Sequence, residues 1–192
     1  MANATAARVP ALEGLDLVRQ TGVVEASDAG PSMRLACHGS AEAIATALGL
    51  ELPSRVCRAS VAGDCAMLRL GPEEHLVLGP EGKRQATIEA ARAAGARTRG
   101  CVVDVGERSF GIVLAGARVE EVLASGCPLD LAAAAFPVGM CTRTILGKAE
   151  VMLWRTGPER FRLEAGRSFA PYVTELIALS VRGLPAVDLA GA

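Results

Sequence analysis

Ser32-Met33-Arg34-Leu35-Ala36-Cys37-His38-Gly39 reads as a strand that stops at a glycine. Met33, Leu35 and Cys37 alternate with Ser32, Arg34 and Ala36, the period of two expected of a strand. Gly39 and Ser40 break it, and Ser40 offers an N-cap. Ala41, Ile44, Ala45 and Leu48 follow at helical spacing, with Gly49 placed to end the helix. Three strand-like runs come next, around Val56 to Val61, Cys65 to Leu70 and His75 to Leu78. Gly63-Asp64 and Gly71-Pro72 are the turn signals between them. An Ala-rich helix from Lys83 to Ala94 ends at Gly95, and Cys101 to Val105 reads as a buried strand.

The order then starts again. Phe110, Ile112 and Leu114 alternate into Gly116, and a helix carrying Val119, Val122 and Leu123 ends at Gly126. Strand-like runs follow at Met140 to Leu146, Ala149 to Arg155 and Arg160 to Glu164. Ser168 is placed to cap a last helix with Phe169, Tyr172, Val173 and Leu176 on one face, and Pro171 falls in its first turn, where a missing N–H is tolerated.

Met33, Leu35, Cys37, Gly39 and Gly49 match Phe110, Ile112, Leu114, Gly116 and Gly126 at one constant offset. Arg69, Gly71, Pro72 and Glu73 match Arg155, Gly157, Pro158 and Glu159 at a longer one, the difference being an insertion around Pro128 to Pro137. The apolar positions of the helices do not align, so helical phase does not enter. Chance likeness between two ordinary hairpins is the alternative. Recurrence of strand, breaker and turn in one order favours duplication. The expected fold is α+β: two β-α-β-β-β-α halves, with helices packed on antiparallel sheets. Residues 1–31 read as an N-terminal arm, 32–180 as one domain of two halves (32–99 and 100–180), and 181–192 as a C-terminal tail.

Of 192 residues, 51% are hydrophobic, 21% charged and 3% aromatic, and the net charge is −1. That balance suits a folded protein with a core of Ala, Val, Leu and Ile. With no basic stripe and few rings for base stacking, nucleic acid is not an expected partner. No run of about 20 apolar residues is free of charge, so a membrane span is not expected either. Met1 to Pro10 lacks the hydrophobic run of a secretory signal, and a cytoplasmic location is expected. The six cysteines (Cys37, Cys57, Cys65, Cys101, Cys127, Cys141) then read as reduced thiols. Their spacing, with only His38 and His75 beside them, gives no metal-ligand set. Much apolar surface must be hidden, some of it under partner chains.

The usual catalytic motifs are missing: neither common phosphate-binding glycine pattern nor a Gly-x-Ser-x-Gly elbow is present. No catalytic, cofactor-binding or metal-binding residue is assigned. His38 and His75 read as exposed polar side chains, and Cys127 and Cys141 as structural thiols. In Cys127-Pro128-Leu129-Asp130-Leu131, Pro128 stops a helix. Asp130 reads as the cap of a short turn through Ala132 to Ala135, or as a contact to a partner or ligand. Arg143, flanked by Thr142 and Thr144, could grip a carboxylate in two-pronged fashion, within the chain or outside it. Arg155 and Arg167 carry the same ambiguity, and Trp154 reads as core or interface.

The second half resembles the gamma subunit family of heterotetrameric sarcosine oxidases. The resemblance rests on Gly126 to Leu131, Phe136 to Thr144, Ala149 to Thr156 and Arg167 to Val173, with Val102-Val103-Asp104-Val105 and Arg108 also similar. It covers residues 100–180 well and the first half by element order only. It implies a fold like the folate-binding domain of glycine-cleavage aminomethyltransferases. It also implies a non-catalytic, structural subunit beside alpha, beta and delta partners. The complex would demethylate sarcosine to glycine, releasing hydrogen peroxide and either formaldehyde or methylene-tetrahydrofolate. FAD, FMN and NAD would belong to the large subunits and zinc to delta. Cys127, Pro128, Asp130, Arg143, Arg155 and Arg167 are the candidate subunit contacts. The equivalent subunit of an N-methyl amino acid dehydrogenase, or a free-standing folate-binding protein, are the alternatives.

Overall fold

A computed structural model describes residues 11–13, 17, 19–20, 23–30, 32–39, 41–96 and 100–184. Residues 1–10 of the expected arm, residues 185–192 of the expected tail and the expected cap Ser40 lie outside the described residues. The first half runs β1 (Arg19–Gln20), β2 (Val24–Asp28), β3 (Ser32–His38), α1 (Ala41–Ala47), β4 (Arg58–Ala62), β5 (Cys65–Arg69), β6 (Glu74–Pro80) and α2 (Arg84–Ala96). The second runs β7 (Cys101–Asp104), β8 (Ser109–Ala115), α3 (Val119–Ala124), β9 (Cys141–Leu146), β10 (Ala149–Gly157), β11 (Arg160–Gly166) and α4 (Ala170–Arg182). A single 3-10 turn, Glu81–Lys83 or Arg167–Phe169, leads into α2 and α4.

The duplication extends to backbone bonds. Strand β3 maps onto β8 at an offset of 77 residues, and β6, the 3-10 turn and α2 map onto β11, its turn and α4 at 86. Gly39 N–H donates to Glu73 O at 3.1 Å, and its counterpart Gly116 N–H to Glu159 O at 3.0 Å. Both helix-ending glycines bond back three residues, Gly49 to Thr46 O and Gly126 to Leu123 O, each at 3.1 Å. The first helices of the two halves are out of step. Buried Ala41, Ile44 and Ala45 meet buried Val119, Val122 and Leu123 only after a shift of one residue, which is why their sequences fail to align.

The halves exchange their first strands. Antiparallel pairing orders one sheet β1-β2-β8-β11-β10-β9 and the other β4-β5-β6-β3-β7. Thus β2 of the first half lies in the second half's sheet, and its counterpart β7 lies in the first half's sheet. This corrects the expectation of an arm outside the core: Leu12, Val23, Val24 and Ala26 are buried. Their alternation is too brief to stand out from the polar residues around it. It also corrects the expectation for Cys101 to Val105. The strand exists, but it is an edge with Cys101, Val103 and Asp104 exposed. Helix α2 runs through Gly95, Ser168 sits inside the 3-10 turn rather than capping α4, and α4 carries into the expected tail as far as Arg182.

Three clusters place the layers. Val173, Ile177 and Val181 of α4 and Val119, Val122 and Leu123 of α3 cover one face of the six-stranded sheet. Ile44 and Ala45 of α1 and Ile88 and Ala91 of α2 cover one face of the five-stranded sheet. The remaining faces meet each other through Ala66, Leu68 and Leu78 on one side and Cys141, Met152 and Trp154 on the other. The order is helices, sheet, sheet, helices. Both faces of each sheet are therefore covered, and polar residues that alternate with the helix-facing side chains end up between the sheets rather than in water.

Candidate subunit-contact site

Arg155 organises the insertion. It leaves β10 in a side chain 3% exposed. Its Nη1 donates to Leu131 O at 2.9 Å and Phe136 O at 3.2 Å, and its Nη2 to Glu120 of α3 at 2.5 Å and to Pro158 O. The guanidinium carbon stands 5.0 Å from the Phe161 ring centre, and Phe161 meets Phe136 at 6.1 Å. One planar fork thus satisfies carbonyls that a loop without secondary structure would otherwise bury unpaired. Arg69 is the first-half counterpart, donating to Pro53 O at 3.0 Å and Pro72 O at 3.3 Å.

The rest of the loop is fixed locally. Asp130 Oδ1 accepts from Ala132 N–H at 3.0 Å, the turn-capping role, with the carboxylate at the surface beside exposed Pro128. Cys127 is buried, its sulfur 3.7 Å from Thr144 Oγ1 of β9. Arg143 projects from β9 with its side chain 63% exposed and pairs with Glu74 of β6, bridging the two sheets. Beside it, the edges of β4 and β9 join: Ala59 N–H donates to Gly139 O at 2.9 Å and Cys141 N–H to Cys57 O at 3.2 Å. Cys57 takes the left-handed conformation there, φ 62°, which a non-glycine residue adopts rarely. Burial pushes the Cys141 thiol up to about 12, so it stays protonated near neutral pH.

Cys127, Pro128, Asp130 and Arg155 therefore gather at one loop, and Arg143 stands on the strand that the loop touches. Arg167 does not join them. It opens the 3-10 turn before α4, 3.9 Å from Glu107, and lines a separate cleft with Asp28 and Arg34.

Two polar groups escaped the sequence reading. Arg34, Glu164 and Arg162 form an ion triad between the sheets. Arg34 pairs with Glu164, Arg162 Nε donates to Glu164 at 2.7 Å, and Arg162 Nη2 donates to Ser32 Oγ at 3.2 Å. Gly111 leaves room beside it: a Cβ would lie 2.6 Å from Glu164 Oε1 and 2.9 Å from Arg34 Nη2, so the ion pair would have to shift. The signal was Arg34 on a strand, but only a second sheet makes that face interior. His75, expected exposed, is 2% exposed in the row between Cys37 and Arg69. Burial, then the neighbouring Arg69 charge, holds its imidazole below the ordinary value. Its second-half counterpart is Phe161, so the position is a core one. Among the described residues no three His, Cys, Asp or Glu side chains cluster as a metal site would need, and no helix is long and apolar enough to cross a membrane.

The four-layer duplicated fold defines the class. The crystal structure of glycine cleavage system aminomethyltransferase T from Bartonella henselae superposes with a TM-score of 0.67 over 84% of this chain and 47% of that one. At 13% identity the likeness concerns fold alone. Within the class, the model of the sarcosine oxidase, gamma subunit family matches residues 34–179, and the chain belongs to that family. Sarcosine oxidase subunit gamma of Corynebacterium sp. (strain U-96) is 31% identical over 151 residues, 77% of this chain and 72% of that one. The subunit from Arthrobacter sp is 38% identical over 118 residues, 61% of this chain, and the match spans only 57% of that relative's length. For Corynebacterium sp. (strain P-1) the figures are 36% identity over 136 residues, 70% and 66%. A chain of the heterotetrameric sarcosine oxidase from Corynebacterium sp. U-96, in complex with pyrrole 2-carboxylate, has the same fold. It gives a TM-score of 0.85 at 24% identity, covering 95% of this chain and 98% of that one.

Proposed function

We propose that this chain is the structural, non-catalytic gamma subunit of a heterotetrameric sarcosine oxidase, assembling with alpha, beta and delta subunits in the cytoplasm. The complex oxidatively demethylates sarcosine to glycine, releasing hydrogen peroxide and formaldehyde or methylene-tetrahydrofolate. FAD, FMN and NAD are held by the large subunits and zinc by delta. The observation that carries the reading is a family match running through both halves, residues 34–179. The strand-exchanged fold supports a scaffold role, because neither sheet is complete without a strand from the other half. We assign the exposed members of the loop and β9, Pro128, Asp130 and Arg143, to contact with a partner, and Cys127 and Arg155 to holding that surface from beneath. Arg167 belongs to a second contact at the cleft beside Asp28.

Arg143→Ala tests the contact. Its exposed ion pair with Glu74 contributes under about 1 kcal/mol to the fold, so the chain stays folded. Assembly should weaken, read as loss of partner subunits in co-purification at raised salt. A variant complex that assembles and turns over sarcosine like the parent removes Arg143 from the interface.

A further inference from the structure

The two halves also differ where the first helix of each meets its hairpin. In the second half, the tip of the β9–β10 hairpin closes on the end of α3: Gly147 N–H donates to Gly126 O at 2.8 Å. Tyr172 and Leu176 of α4 seal the seam. Tyr172 Oη accepts from Lys148 N–H at 3.0 Å, the ring packs so close to Gly147 that a Cβ there would collide with it, and Leu176 lies against Gly126. In the first half the positions 86 residues earlier are Ala86 and Ala90. The β4–β5 hairpin is also shorter: aligned on Arg69 and Arg155, it turns at Gly63-Asp64, two residues sooner on each strand than Gly147-Lys148. What the second half fills, the first half leaves as a groove of about 350 Å³. Its floor is Val77 and Thr87, its walls include Leu48 and Leu50, and the Lys83–Asp64 ion pair at 2.6 Å stands on its rim.

A mostly apolar lining with a charged, exposed rim is the anatomy of a contact point, where an aromatic anchor enters a pocket and polar groups exclude water around it. The chain itself shows what fits this cradle: a phenol ring, followed one helical turn on by a branched aliphatic group. We propose that the groove between α1 and α2 receives an aromatic side chain of tyrosine or phenylalanine size from a partner subunit, taking the place that Tyr172 takes in the other half. This rests on the gamma-subunit reading and deepens it by naming a docking point and its chemistry. The volume is at the small end of what ligand sites occupy, suited to one ring rather than a cofactor.

The test uses the full chain co-expressed with its partner subunits. The double variant Ala86→Tyr/Ala90→Leu writes the second-half residues into the first, so the chain occupies its own groove. It should fold, by circular dichroism and a melting temperature no lower than the parent's, and capture partner subunits at least about tenfold less well. Capture equal to the parent's overturns the groove as a docking point while leaving the gamma-subunit reading intact. Capture of no partner by the parent chain overturns both. Should the double variant misfold, a photo-crosslinking phenylalanine at exposed Ala47, on the edge of the groove, in the otherwise unaltered complex decides. A covalent adduct with a partner subunit is expected. An adduct only within this chain, or none in the assembled complex, overturns the proposal.

Discussion

Replacing Arg155 by alanine should open the insertion. The side chain is the shared donor for Leu131 O and Phe136 O, pairs with Glu120, and lies over Phe161. Each carbonyl left buried without a donor costs about 1–3 kcal/mol, and the lost ring contact adds about 1 kcal/mol. Glu120 is 39% exposed, so its freed carboxylate rehydrates and adds little. The loop can also swing out to water and recover part of the loss. The net effect, from the two carbonyls and the ring contact, is about 3–5 kcal/mol. In a chain of this length that lowers the melting temperature by about 10 °C. The local readout is Cys127, buried where the insertion begins. In Arg155→Ala it should react with a thiol reagent well below the melting temperature, located by mass spectrometry. Arg155→Lys should keep most of the defect, because an ammonium cannot reproduce the planar fork. A variant within about 1 kcal/mol of the parent, with Cys127 still protected, would refute the view that Arg155 holds the loop.

Glu164→Gln leaves Arg34 buried without its counter-charge and should destabilise by about 3–5 kcal/mol in denaturant unfolding; a loss under about 1 kcal/mol would mean that water reaches the triad. His75 has a folded-state value below that of the unfolded chain, so the unfolded state binds more protons as pH falls. Its contribution is fully present above about 6.5, the unfolded imidazole value, and is lost as pH drops below it towards the folded one. His75→Phe, which copies Phe161, should therefore flatten the acid-side decline of the denaturation midpoint. An unchanged slope would assign that decline to other groups.

The repeat was legible because it is written in residues whose roles are local. Gly39 and Gly116, Gly49 and Gly126, and the Arg-x-Gly-Pro-Glu turns each perform the same backbone bond in both halves. Strand and helix order followed from them. The exchange of β2 and β7 was not legible, since a five-residue run such as Val24–Asp28 says nothing about which sheet it joins. The same limit hid the Arg34 triad and the burial of His75: alternation along a strand separates two faces, and only the stacking of two sheets decides that neither face is wet. Of the candidate contact residues, Asp130 was readable as a cap from Pro128 and the short turn after it. The internal role of Arg155 was not, because its partners lie 19 and 24 residues away across the insertion. The groove emerges only when α2 is laid on α4: the Arg-x-Gly-Pro-Glu match carries that 86-residue register, but not that Tyr172 and Leu176 fill a seam where Ala86 and Ala90 leave space.

Affinity capture of the tagged chain from its native cells, with subunit masses and the visible spectrum recorded together, decides whether this chain works as a gamma subunit. The expected result is co-elution with three further subunits, a yellow flavin spectrum and hydrogen peroxide release on addition of sarcosine. A colourless chain eluting without partners would contradict it, and tetrahydrofolate titration would then be the next experiment on the free protein.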